Sequence, residues 1–198
     1  GSGPKPTWPA PRWQRAAFGS IVLLAALSLL CGRFPGMPVQ LLGAPLLVVM
    51  FGLRPALPLL AAAALLGASQ QPQAPEDVVA LLAAALTRFT WFGALPALLT
   101  AAGHALIRRW LPRQLFVFIF GHGYFAPMLA AIGSALLAAA YAQPARSALY
   151  LDWTEVVTAA VAMGFAEAFI TGLLTAIFVV YRPDWVLTFD DREYLRAR

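Results

Sequence analysis

Apolar residues arrive in long runs, broken by short stretches that hold the prolines and charges. A helix crossing a hydrocarbon layer ~30 Å thick needs about 20 such residues. Six runs qualify as candidates: 16–32, 38–53, 55–69, 78–107, 114–142 and 149–181. The second and third are short and interrupted by Pro45, Pro55 and Pro58, whereas the last three are longer than one perpendicular crossing requires. Tilt, or kinks at Pro96 and Pro127, is expected to absorb that excess. The pattern predicts an all-α, polytopic integral membrane bundle of about six transmembrane segments.

Ala61 to Ala64, Ala83 to Ala85, Ala101, Ala102 and Ala138 to Ala140 lie in these runs with Gly93, Gly103, Gly121, Gly123, Gly133, Gly164 and Gly172. Small residues let helix backbones approach closely, so the bundle is expected to be tight. Before the first run, residues 1–15 are rich in proline and carry Trp8 and Trp13, which suit the headgroup layer. They read as a flexible interfacial arm, residues 16–183 as the membrane domain and residues 184–198 as a charged cytoplasmic tail. No signal peptide is expected, because no small-residue cleavage site follows the first apolar run.

Composition agrees: 61% of the chain is hydrophobic and only 12% charged, against roughly 45–50% apolar and 25% charged in soluble domains. The mean hydropathy is +0.73. A net charge of +5 would hint at nucleic acid in a soluble protein, but here the basic residues flank apolar runs as topology signals do. No nucleic-acid partner is expected; membrane lipid is. Placing the N-terminus in the cytoplasm puts Lys5, Arg12, Arg15, Arg54, Arg108, Arg109, Arg113, Arg182, Arg192, Arg196 and Arg198 inside. The outer side then holds Arg33 and Arg146, the distribution expected of a multi-pass protein of the bacterial inner membrane. Arg88 precedes Arg108 by about 30 Å of helix, which takes it to the outer boundary, near Glu76, Asp77, Asp152 and Glu155 as pairing acids. Cys31 is the single cysteine, so no internal disulfide forms.

The candidate chemistry lies in the last two runs. Glu167 sits in Ala-Met-Gly-Phe-Ala-Glu-Ala-Phe-Ile-Thr-Gly-Leu-Leu, residues 162–174, far from any other charge. An acid at a helix centre costs roughly 2.5–3.5 kcal/mol to insert and therefore turns toward protein or a cavity. Thr171, one turn on, is placed to donate to it. Structural tethering of helices and binding of a ligand, cation or proton are both open to Glu167. His122, between Gly121 and Gly123 and followed by Tyr124, lies about 13 Å past Arg113 if helical; it is either a ligand-binding group or a packing histidine. It shares a chamber with Glu167 only if the last two segments are neighbours. His104, four residues before Arg108, reads as interfacial or structural. Two histidines and one cysteine exclude a closed four-ligand structural metal site, leaving His122, His104 and Glu167 as the available metal-binding groups. No phosphate loop, His-Glu-x-x-His or nucleophile elbow occurs, and no enzymatic activity is expected.

The run Gly-Phe-Ala-Glu-Ala-Phe-Ile-Thr-Gly-Leu-Leu-Thr-Ala, followed by Tyr181, Arg182, Pro183 and Asp184, resembles the terminal helix of the CbiM and NikM family. These are the membrane-embedded substrate-capture subunits of energy-coupling-factor ABC transporters for cobalt and nickel. Leu42 to Pro55 is similar to that family's Gly-rich segment and Phe-Gly-Pro turn, and Phe92 to Arg109 to its middle helix. The resemblance spans about residues 20–186. It implies a permease-like scaffold that holds a small ligand or cation at Glu167, His122, Tyr124 and Thr171, with a transmembrane coupling subunit and cytoplasmic ATPases as partners. The family's Met-His opening and its Ser-His-Pro-Thr-Gly-like stretch have no counterpart; the latter region reads Gly36-Met37-Pro38-Val39-Gln40. Alternatives are a non-transporting membrane assembly protein on the same scaffold, or an intramembrane metal or redox protein using His104 and His122.

Overall fold

The computed structural model describes residues 43–69, 77–112, 114–142, 152–181, 185, 186 and 188. The first expected segment, the proline-rich arm and most of the charged tail lie outside the described residues. Every regular element among the described residues is helical. Three helices are long and apolar enough to cross a membrane: α3 (Val78–Trp110), α4 (Leu115–Tyr141) and α5 (Trp153–Tyr181). Before them come α1 (Ala44–Phe51), a short helix of 8 residues, and α2 (Leu53–Ser69), of 17.

Local sequence explains where these helices begin and end. Gly43 and Gly52 bracket α1 at φ 58 and 82, backbone angles that a side chain disfavours. The chain therefore turns sharply at both places, and α1 is only about 12 Å long. Asp77 accepts from the Ala80 N–H at 3.2 Å and Asp152 from the Thr154 N–H at 2.8 Å, capping the starts of α3 and α5.

The expected kinks at Pro96 and Pro127 take a specific form, because α3 is π-helical over Phe89–Ala94 and α4 over Phe118–Phe125. A proline inside a helix lacks an N–H and crowds the carbonyl four residues back. Widening the preceding turn relieves that crowding. Accordingly the Leu95 N–H donates five residues back to Thr90, and the Ala126 N–H five back to Gly121.

Small residues set the register between helices. Gly103 faces Ala126 and Gly121 faces Ile107, so α3 and α4 are antiparallel. Gly164 faces Ile132, Gly172 faces Tyr124 and Gly123 faces Thr175, so α4 and α5 are antiparallel too. A β-carbon on Gly164 would stand 2.5 Å from Ile132 Cγ1 and 3.1 Å from the Met128 carbonyl oxygen, so this crossing is closed to any larger residue.

α1 is the buried centre, with Ala44, Leu47, Val48, Val49, Met50 and Phe51 all inside. It packs against Ala56, Leu60 and Ala63 of α2, Ala97 of α3, and Phe178 and Trp185. Thr188, in the segment expected as a charged tail, donates to the Val49 carbonyl near the end of α1, and Val186 is buried beside Phe118 and Val179. This return satisfies a carbonyl that a helix end leaves without an intrahelical partner. α3 is peripheral: 11% of its most apolar stretch is buried, against 44% for α4 and for α5.

These directions sort the charges. Arg108 and Arg109 close α3, at the end where α4 begins and α5 finishes, and Arg54 opens α2 beside the end of α1. Asp77, Asp152 and Glu155 stand at the opposite end, where α3 and α5 start. The described residues thus have a basic end and an acidic end. No ion pair among the described residues joins half-buried Arg88 to Asp77, Asp152 or Glu155; Glu76 lies outside them.

Candidate functional site

Glu167 is 2% exposed and faces the bundle interior, as the cost of hydrocarbon contact requires. Its Oε1 accepts the Gly43 N–H at 2.9 Å. The carboxylate therefore sits at the start of α1, where unpaired N–H groups and the helix dipole favour negative charge. Pro45, in the first turn of α1, has no N–H to add to that set. Glu167 acts as a cap supplied by a distant helix, the tethering alternative for this residue.

That placement corrects two expectations. Thr171 lies one turn away on the same buried face, yet its hydroxyl has no hydrogen-bond partner and does not donate to the carboxylate. Nor does His122 pair with Glu167; the polar group its ring approaches is the Val117 carbonyl in its own helix.

The two histidines do come together, which sequence spacing did not reveal. His104 and His122 are each 5% exposed, with ring centroids 4.7 Å apart and planes inclined by 50°. His104 is thus a buried residue of α3, the structural alternative for this histidine. Its Nε2 lies 3.1 Å from the His122 carbonyl oxygen. A carbonyl only accepts, so this nitrogen carries the proton.

Pro127 explains why that carbonyl is available. In the widened turn the Ala126 N–H goes to Gly121, and the next residue, Pro127, has no N–H for His122. A carbonyl left without a donor inside a membrane is costly, and the His104 side chain fills the gap. The His122 ring stacks on Phe118 at 5.2 Å and 22°.

Thr175, one further turn along α5, is an interior polar residue that the sequence analysis did not single out. Its spacing from Glu167 and Thr171 was the available signal, since i, i+4 and i+8 share one helix face. Thr175 is fully buried and its hydroxyl also lacks a partner. Tyr124 is half-buried, edge-on to Phe125 and packed on Gly172.

Three elements therefore converge on the interior with Glu167, Thr171 and Thr175 from α5, His122 and Tyr124 from α4, and His104 from α3. Among the described residues no group of three histidine, cysteine or carboxylate side chains is gathered as a metal site. His104 and His122 are adjacent, while Glu167 is held at α1. Comparison with protein-family models, curated proteins and solved structures finds no match to this chain.

Proposed function

We propose that this chain is a permease-like protein of the bacterial inner membrane that holds a small polar ligand or cation inside its helix bundle. His122 and Thr171 are the principal contacts in this reading. Tyr124 forms the wall beside Gly172, and Glu167 supplies negative charge while tethering α1.

The observation that carries the proposal is a pair of buried, unpartnered hydroxyl oxygens, Thr171 Oγ1 and Thr175 Oγ1, beside a buried His122 ring that approaches the Val117 carbonyl of its own helix. Buried polar atoms are nearly always hydrogen-bonded, so an orphaned group points to a partner that is bound from outside. The setting supports it as well. A short interior helix and widened helical turns are the kind of irregular backbone that membrane proteins keep where it lines a site. The basic end, with Arg54, Arg108 and Arg109, faces the cytoplasm by the positive-inside rule. Any energy source is a separate ATPase and coupling subunit, as the resemblance of the last helix implies.

The test is thermal unfolding of protein purified without a nickel resin. It is titrated with nickel, cobalt, zinc and sodium salts and with a panel of small polar metabolites. A saturable rise in Tm that His122→Ala and Thr171→Val both abolish supports capture. No response across the panel, together with a stably co-purifying membrane partner, favours the assembly reading instead.

A further inference from the structure

The buried face of α5 changes character at Glu167. Toward the acidic end it presents Ala160, Met163 and Gly164, with Met163 packed on Ala131 and Gly164 in the tight crossing with Ile132. Nothing polar is exposed to the interior on that side of the face.

Toward the basic end the same face presents Thr171, Gly172 and Thr175. Thr87, Thr90, Thr100, Ser134 and Thr158 all turn their hydroxyls back onto the carbonyl four residues earlier in their own helix. Thr171 and Thr175 do not; their side chains leave Oγ1 without a partner in the interface with the π-helical part of α4. A β-carbon on Gly123 would stand 3.2 Å from Thr175 Cβ and 3.4 Å from its Oγ1, so the missing side chain of Gly123 lets Thr175 pack directly against the α4 backbone. His122, beside Gly123, adds a buried polar ring that approaches the Val117 carbonyl of its own helix. Water is the partner small enough to serve such atoms, provided two or more polar groups hold it.

From Glu167 to Thr175 is eight residues, about 12 Å along α5. One turn beyond Thr175 the character changes again: Val179, Phe118 and Val186 form an apolar cluster with Leu115 and Phe178 alongside. Val186 belongs to the segment that Thr188 ties to the Val49 carbonyl.

We propose that the Thr171–Thr175 stripe is a water passage between Glu167 and the basic end, closed in this structure by an apolar plug of Phe118, Val179 and Val186. The passage is independent of the capture reading, since opening the plug would hydrate the carboxylate whether or not a solute binds. Its polarity is one-sided: hydration enters from the basic end, and the Gly164–Ile132 crossing blocks the acidic end.

Silver ion, comparable to water in size, reacts with thiolate and so reports hydration. Single-thiol proteins are made by introducing Thr171→Cys or Thr175→Cys into a Cys31→Ser background, in nanodiscs. Phe169→Cys and Leu173→Cys, on the outward face of α5, serve as lipid-facing controls. Met163→Cys reports the closed side. The readout is the loss, with time in silver ion, of thiols available to maleimide after denaturation. Opening the plug with Val186→Ser, or independently with Phe118→Ala, is expected to speed reaction at residues 171 and 175 to about ten times the control rates or more. Residue 163 is expected to stay at control rates. The proposal is overturned if, in variants that elute as folded protein, residues 171 and 175 react no faster than the lipid-facing controls with either plug variant present. Loss of ligand response in the thermal experiment leaves this result untouched.

Discussion

Glu167 meets the N–H of Gly43, the residue that caps α1, across a sequence separation of 124 residues, and this contact decides what the carboxylate does. A hydrogen bond to an ionised group is worth about 1.5–3 kcal/mol, and an orphaned donor costs about 1–3. Glu167→Ala is therefore expected to lower stability by about 2 kcal/mol. Glu167→Gln, which keeps an oxygen in place and removes only the charge, is expected to lose about 1 kcal/mol. Chemical unfolding in detergent measures both, and equal effects would remove the capping role. Glu167 was conspicuous in the sequence because it interrupts a long apolar run. Its partner was not, because a backbone N–H carries no residue signature. His104 was left between an interfacial and a structural reading by its position four residues before Arg108, and the close approach of α3 and α4, which buries it, is the structural one.

Pro96 and Pro127 each follow a widened turn, and one of the two widened turns is repaired by a neighbouring helix. If the His104 side chain substitutes for the donor that Pro127 lacks, the two residues are energetically coupled although they lie on different helices. His104→Ala is expected to cost about 1–3 kcal/mol. In a Pro127→Ala background, where residue 127 regains an N–H, that cost is expected to fall by about 1 kcal/mol. A double-mutant cycle measured by unfolding checks this, and strict additivity would refute it. The α4–α5 crossing makes a second prediction. Gly164→Ala is expected to destabilise by about 1–3 kcal/mol through overpacking. Ile132→Ala is expected to recover only part of the loss, because the Met128 carbonyl remains 3.1 Å from the added carbon. The helices themselves were legible in the sequence, since length and apolarity suffice for α3, α4 and α5. The break after α1 is less so: Gly52 marks a turn, but only the structure has α1 stop after 8 residues and bury itself.

Across the whole molecule, charge and packing share one axis. Basic residues Arg54, Arg108 and Arg109 collect where α3 and α5 end, and acidic residues Asp77, Asp152 and Glu155 where they begin. With the basic end cytoplasmic, Arg54→Cys is expected to react with an impermeant maleimide only in inverted membrane vesicles, and Glu155→Cys only in right-side-out vesicles. The opposite pattern would reverse the orientation.

Sequence alone determined that the described residues are helical and include segments long and apolar enough to cross a membrane, because hydrocarbon permits spanning helices only when backbone groups pair within them, and long apolar runs are the direct signature of that constraint. It also singled out Glu167 and His122, since an ionisable or polar ring in such a run stands out by contrast. Tertiary structure alone decided their partners. Which N–H reaches the carboxylate, which imidazole serves the carbonyl five residues before Pro127, and which hydroxyls are left facing the interior all depend on the rotation of each helix about its axis. That rotation is set by the summed packing of small residues along the contacting faces, and no local stretch of the chain encodes it.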